Sequence, residues 1–314
     1  MSRQSQYHQY LSKQRADKAC EFLLENSNFI NWYHDSDSHQ LAIFGAMGSG
    51  KSSAMAFLAD ELVRRSKHQL PQPKVCFYYC RDEETGETIY ILSALILSLL
   101  TQLPDLKKPF FQWYKEAQTC VDFDPATDSK TLREFLCKVL EAMLRPVFMV
   151  IDGLDKCSAE SRSNLLTILQ KLSQRVLGLK VILSSRAQEE ISEQFHDTAK
   201  IEMITDAHRD GIIIEKLVEK KLFDLSPDVK SLVIDRMTGL AKGSVIWTRM
   251  TIELIETRNI GAFEPMKTFL EETSLPEQLS EIYSTVLSRC SSRILRTWTL
   301  PVQLSSFSPS QIGV

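Results

Sequence analysis

The chain has 314 residues, 43% of them hydrophobic and 25% charged, with a formal net charge of −3 and a sequence pI of about 6.1. That is ordinary globular composition, long enough for a sheet-centred core and one further unit. The mild acidity excludes the basic footprint of a nucleic-acid binder, and the densest basic run, Arg64, Arg65, Lys67 and His68, reads as a solvated helix end.

The N-terminal stretch from Met1 to Lys13 is polar and carries no secretory pattern. Leu41 to Phe44 is a buried strand, followed by a helix from Ser52 to Arg65. Lys74 to Cys80, rich in Val, Phe and Tyr, is a second strand. Helices follow over Thr88–Leu103 and Ser129–Leu144, the latter ended by Pro146. The apolar run Ile89–Leu100 falls short of the ~20 residues of a membrane span and predicts a buried helix with no membrane crossing. Val147–Ile151, Lys180–Ser184 and Lys200–Ile204 complete the strands, with a helix over Ala159–Val176 whose apolar face is Leu165, Leu166, Ile168, Leu169 and Leu172. Strands alternating with helices imply a mostly parallel sheet covered on both faces. Beyond residue 205 only helical periodicity remains, at Ile213, Ile214, Leu217 and Val218 and again at Leu279, Ile282, Tyr283, Val286, Leu287 and Cys290. The serine-rich Pro301–Val314 stretch reads as frayed or cut short.

Seven cysteines, Cys20, Cys76, Cys80, Cys120, Cys137, Cys157 and Cys290, include no CxxC pair, and the six histidines lie at no zinc-type spacing from them. Thiols in a reducing, cytoplasmic setting are the expectation.

The strongest chemical signal is Gly45-Ala46-Met47-Gly48-Ser49-Gly50-Lys51-Ser52, which matches GxxxxGK[ST] directly after an apolar strand. Glycines let the backbone approach phosphate oxygens, successive N–H groups point inward as an anion nest, and the following helix adds its N-terminus. Lys51 is expected to reach the β- and γ-phosphates, and Ser52 to offer its hydroxyl to Mg²⁺. The second signal is Phe148 to Asp155, an apolar strand ending in acids. Asp152 is the expected Mg²⁺ partner of this Walker B form, and Asp155 the group that orients an attacking water. The bland alternative is a buried strand ending in an Asp-Gly turn. In the third, Lys180 to Arg186, a strand ends in small polar residues and an arginine, so that Arg186 faces the ligand crevice as a γ-phosphate sensor; the alternative is a surface arginine.

With these motifs in order, the chain resembles the NACHT NTPase module of fungal NOD-like receptors, within the STAND class of signal-transduction ATPases, often described as a nephrocystin-like N-terminal NTPase domain. Ala19 to Leu24 with Phe29 and Trp32 resemble the short helix that precedes the P-loop there, and Phe77 to Asp82 and Ile91 to Leu103 its second strand and next helix. Asp152-Gly153-Leu154-Asp155-Lys156-Cys157 resembles Asp-x-Leu-Asp-Glu-Cys, and Ala241 to Trp247 resembles the Gly-x-Phe-Leu-Trp signature of the helical unit. Leu275-Pro276 with Leu279, Ile282 and Tyr283 resembles the segment that closes that unit.

The resemblance implies an α/β fold of AAA+ type: a parallel five-stranded sheet of order 5-1-4-3-2 with flanking helices, then an all-helical lid. It implies an N-terminal helix and lead-in over 1–36, a NACHT core over 37–205, a lid over 206–295 and a winged-helix stub over 296–314. It also implies ATP (or GTP) with Mg²⁺ as ligands and an ADP-closed, ATP-open signalling switch that forms a homo-oligomer and gathers effectors; base contacts come from loops near the lead-in and the lid. Lys156 stands where the family has Glu, so two readings follow: slow hydrolysis as a switch, or a nucleotide-binding interaction module without turnover. A small-molecule kinase is disfavoured because no arginine-rich mobile lid is present.

Overall fold

A computed structural model describes residues 3–16, 18–35, 39–120 and 124–273. The chain opens with α1 (Arg3–Gln14), α2 (Phe22–Glu25) and α3 (Ser27–His34). The core follows as β1 (Gln40–Gly45), α4 (Lys51–Ser66), β2 (Lys74–Tyr79), α5 (Thr88–Gln102), α6 (Lys107–Cys120), α7 (Ser129–Ala142), β3 (Val147–Asp152), α8 (Ala159–Arg175), β4 (Leu179–Ser185), α9 (Glu189–Glu193) and β5 (Ala199–Met203). The remaining described elements are α10 (Ala207–Lys221), α11 (Pro227–Leu240), α12 (Val245–Arg258) and α13 (Phe263–Glu272). The closing segment with Leu275, Pro276, Leu279, Ile282 and Tyr283, and the 296–314 stretch, lie outside the described residues.

The strands form one parallel sheet in the order β2-β3-β4-β1-β5. This is the 5-1-4-3-2 order, with β4 between β1 and β3. Side chains alternate between two cores, as the period-2 geometry of a strand demands. Leu41 and Ile43 of β1 pack toward α1, α3 and α4, together with Phe148 and Val150 of β3. Ala42, Phe44, Val147, Met149 and Ile151 pack on the other face against α5, α7 and α8. Both faces being covered explains why β3 reads as an unbroken apolar run rather than an alternating one.

The Ile89–Leu100 run lies in α5 and is buried at Ile91, Leu92, Leu95, Ile96, Leu99 and Leu100. Among the described residues no single helix is long and apolar enough to cross a membrane. Helices α10 to α13 form a separate all-α core around Ile214, Val233, Met237 and Trp247. The lead-in is two helices instead of one, because Asn26 is extended (ψ 126°) and caps α3, its side chain accepting from the Asn28 N–H. Helix α6 was not legible in the periodicity: Pro109 falls in its first turn, where proline is tolerated, and none of residues 107–119 is buried.

Candidate functional site

The carboxyl ends of β1, β3 and β4 meet the N-terminus of α4. The chain leaves β1 at Gly45 and turns back through Gly48 (φ +79°) and Gly50 (φ +88°), in the left-handed region where a side chain is costly. At Gly48 space is also closed, since a Cβ there would stand 2.4 Å from Ile246 Cγ2. Helices α7, α8, α10 and α12 begin with side-chain caps from Asp128, Ser158, Asp206 and Ser244. Helix α4 begins at Gly50 with none, as α5, α9, α11 and α13 also do; at α4 the glycine turn beside it leaves the first N–H groups for an anion.

Lys51 folds back on its own loop, Nζ donating to the carbonyls of Gly45 and Ala46, each at 2.8 Å. Burial pulls its ammonium below the ordinary value, opposed by the charges of Asp155 and Asp152. Ser52 Oγ donates to Asp152 Oδ2 at 2.6 Å. Ser184 of β4 donates to the other carboxylate oxygen, and Ser184 Oγ accepts from the Gly153 N–H at 3.1 Å. Asp152 is buried, and that burial raises its carboxyl above the usual range, against the hydrogen bonds from Ser184 and Ser52 and the charge of Lys51.

Asp155 and Arg186 lie against each other. Arg186 Nε is 2.9 Å from Asp155 Oδ2, and the Arg186 N–H donates to Oδ1 at 3.3 Å. Both carboxylate oxygens are therefore engaged by the arginine expected to sense a γ-phosphate.

These groups border a cleft of about 380 Å³ lined by Met47, Gly48, Gly50, Lys51, Ser52, Asp152, Asp155, Lys156 and Arg186. Gly45, Ala46 and Ser49 do not line it. Gly45 and Ala46 supply the carbonyls that hold Lys51, and Ser49 is buried, its hydroxyl without a partner, beside a second cavity of about 50 Å³. That cavity lies on the other side of Gly50 and Ser53, walled by Ala16, Cys20, Met203, Ile213 and Leu217.

Two walls of the larger cleft were not read from the sequence. Helix α12 brings Val245, Ile246 and Arg249, and the Val245 N–H donates to the Gly48 carbonyl at 2.9 Å. The signature Ala241–Trp247 marks this helix but not its contact. Helix α1 brings Tyr7, Tyr10 and Leu11. It is pinned where Gln4 bonds both the N–H and the carbonyl of Tyr79 on the sheet edge (2.9 and 3.4 Å), where His8 bridges Tyr79 OH (2.6 Å) and Asp60 (2.9 Å), and where Lys216 and Arg249 donate to the Arg15 and Gln14 carbonyls (2.9 and 3.2 Å). Pairings across so many residues leave no local signal.

Among the described residues no group of three or more His, Cys, Asp or Glu could hold a metal by itself. One carboxylate and one hydroxyl, Asp152 and Ser52, suit Mg²⁺, which takes few protein ligands and completes its shell with phosphate and water.

The family described as "Nephrocystin 3, N-terminal" matches residues 18–186, from the lead-in to Arg186. Vegetative incompatibility protein HET-E-1 of Podospora anserina is 22% identical over 284 residues, covering 87% of this chain and 20% of that protein. The chain thus spans a small part of that relative's length. Drosophila ORC bound to DNA aligns over 84% of this chain and 65% of its own, at 11% identity and a TM-score of 0.51. The ORC2 protein of Aeropyrum pernix in its ADP form aligns over 81% and 67%, at 12% identity and a TM-score of 0.50. These two are likenesses of fold. The family match spans more than half of the chain, carries the glycine loop, the acidic strand end and the arginine strand in one frame, and agrees with the sheet order: the chain belongs to the Nephrocystin 3 N-terminal family and is a NACHT-like P-loop NTPase module.

Proposed function

We propose that the cleft binds a nucleoside triphosphate with Mg²⁺ and that the chain works as a slow nucleotide switch. The observation that carries this reading is the 2.6 Å hydrogen bond between Ser52 and Asp152. It joins the hydroxyl at the start of α4 to the acid at the end of β3, the two groups a P-loop site needs on one metal. The uncapped α4 N-terminus and the left-handed glycines support a phosphate cradle beside them.

In this reading the N–H groups of residues 48–52 bind the β-phosphate. Lys51 leaves the Gly45 and Ala46 carbonyls and pairs with the β- and γ-oxygens. Asp152 and Ser52 would hold Mg²⁺, which would supply positive charge to neutralise the phosphates. The nucleoside lies toward the lead-in and the lid, near the small cavity beyond Gly50 that Lys13, Arg15, Arg209 and Lys216 also line, with ATP the expected form and GTP the alternative. Asp155 positions the attacking water only after Arg186 is drawn off it by the γ-phosphate, so turnover waits on that exchange. Lys156 on the same wall adds positive charge and no base. The Val245–Gly48 hydrogen bond couples the lid to the phosphate loop, which supports a change of lid position with nucleotide and, through it, a change of oligomeric state and effector recruitment. The name of the HET-E-1 relative points to vegetative incompatibility, and non-self recognition or programmed cell death is the process we propose for this chain.

A second reading, binding without turnover, is favoured by the engagement of both Asp155 oxygens and by Lys156. Titration of the purified chain with fluorescent ATP and GTP analogues, with and without Mg²⁺, tests the common part. Saturable Mg²⁺-dependent binding that Lys51→Ala removes is expected. Equal binding by Lys51→Ala refutes the site.

A further inference from the structure

Cys80 follows β2 and Cys157 follows the short turn Leu154–Lys156 after β3. Their sulfurs are 4.0 Å apart, and among the described cysteines this is the pair in thiol contact. Both are buried, and Cys80 is among the residues lining the larger cleft, which places the pair at the cleft's edge. The guanidinium of Arg162 is buried nearby: Nη1 lies 3.5 Å from the Cys157 carbonyl, and Nε has no partner. A cation in that position favours a thiolate. The contact with Cys80 and then the charge of Arg162 draw the Cys157 thiol below its ordinary value against its burial, while the same contact and burial push the Cys80 thiol up, so Cys157 is the thiolate of the pair and Cys80 the resolving thiol.

We infer that Cys80 and Cys157 form a modification site for hydroperoxides, closing to a disulfide that weakens triphosphate binding in the adjoining cleft. One thiolate attacks the peroxide oxygen and becomes a sulfenic acid, releasing hydroxide that takes up a proton. The second thiol attacks that sulfur, an S–S bond forms, and the sulfenic oxygen leaves as water. The two thiols lose two electrons and two protons, and hydrogen peroxide leaves as two waters.

An S–S bond is about 2.05 Å long, so the sulfurs must approach by about 2 Å. Cys80 is fixed to the sheet, its N–H donating to the Asp152 carbonyl at 2.9 Å. Cys157 ends the turn that carries Asp155 and Lys156 into the cleft. Movement therefore falls on that turn and disturbs the Asp155–Arg186 pair. The effect on binding rests on the reading of the cleft as the nucleotide site; formation of the disulfide does not.

The test treats the full chain with hydrogen peroxide, maps the peptides without reduction, and titrates a fluorescent ATP analogue before and after. The expected result is a linked Cys80–Cys157 peptide, absent in Cys157→Ala, slower to form under saturating Mg·ATP, and removed by dithiothreitol. Affinity is expected to fall about tenfold on oxidation, the scale of one lost charge-assisted contact, and to return on reduction. Sulfinic acids or other cysteine pairings in place of that peptide overturn the inference, as does a linked peptide with unchanged affinity. A reduced chain that binds no nucleotide refutes the proposed function instead, and the peptide map still decides on the disulfide.

Discussion

Arg186 holds Asp155 through two of its own atoms, its backbone N–H and its Nε, across the ends of β3 and β4. The Asp155 side chain is only 5% exposed, while Arg186 is 34% exposed. The carboxylate is thus the dependent partner, for it has little water to fall back on. Arg186→Ala is expected to destabilise the chain by about 1–3 kcal/mol, the cost of leaving a buried acceptor unpaired. The double variant Asp155→Asn with Arg186→Ala should recover part of that loss, with a coupling of about 1–2 kcal/mol in a double-mutant cycle. Urea unfolding of the four proteins reads the coupling, and strict additivity contradicts the pairing.

Asp152 is an acid whose burial raises its carboxyl in the folded chain. Unfolded, it titrates near 3.9. Between that value and the raised folded one, the native state keeps a proton that the unfolded chain has lost. Stability therefore falls as pH rises through this window and stays lowered above it. Asp152→Asn removes the dependence. It should raise the stability of the nucleotide-free chain near pH 7 by about 1–2 kcal/mol while abolishing Mg²⁺-dependent binding, since a buried charge is costly until it is paired. Thermal melts of both proteins over about pH 4–8 check the sign; a variant less stable at pH 7 contradicts it.

Gly48 faces α12 with a positive φ and no room for a Cβ beside Ile246. Gly48→Ala should cost about 1–3 kcal/mol through backbone strain and push α12 off the loop. Hydrogen exchange at the Val245 amide, bonded to the Gly48 carbonyl, should accelerate. Adding Ile246→Ala removes the steric part and should restore some protection. Unchanged exchange at Val245 in the single variant would mean that this contact does not hold α12 to the glycine loop.

Helix α1 closes one side of the cleft and is pinned at His8. Burial raises the Asp60 carboxyl, but the hydrogen bonds from His8 and Ser12 and the charge of Arg15 outweigh it and hold it below the ordinary range. That contribution is present above the unfolded value and is lost as pH falls through the folded one. His8→Ala should cost about 1 kcal/mol and speed nucleotide exchange several-fold, read by release of a fluorescent nucleotide. Faster release without loss of α1 protection would locate the effect elsewhere.

Local chemistry made the strands and the phosphate loop legible. Val147–Ile151 and Lys180–Ser184 are short apolar runs bounded by polar residues, and glycines at Gly45, Gly48 and Gly50 beside Lys51 and Ser52 have few other uses. The order of the strands had no local signal and came only through resemblance. What was not legible is what joins distant segments: Gln4 on Tyr79, Val245 on Gly48, Ser184 on Asp152 and Arg186 on Asp155. Single polar residues make such contacts, and nothing in a window of sequence distinguishes them from solvated side chains. Lys156 was legible as a departure, and its place on the cleft wall gives that departure a physical meaning.

The proposed function stands on Lys51, Ser52 and Asp152 holding a triphosphate with Mg²⁺. The most direct measurement mixes the chain in excess over radiolabelled ATP with Mg²⁺ and follows protein-bound ATP and ADP through a single turnover, beside Lys51→Ala. The expected result is label retained as ATP by the unmodified chain, converted slowly to ADP, and not retained by Lys51→Ala. Absence of retained label on the unmodified chain, or equal retention by Lys51→Ala, contradicts it.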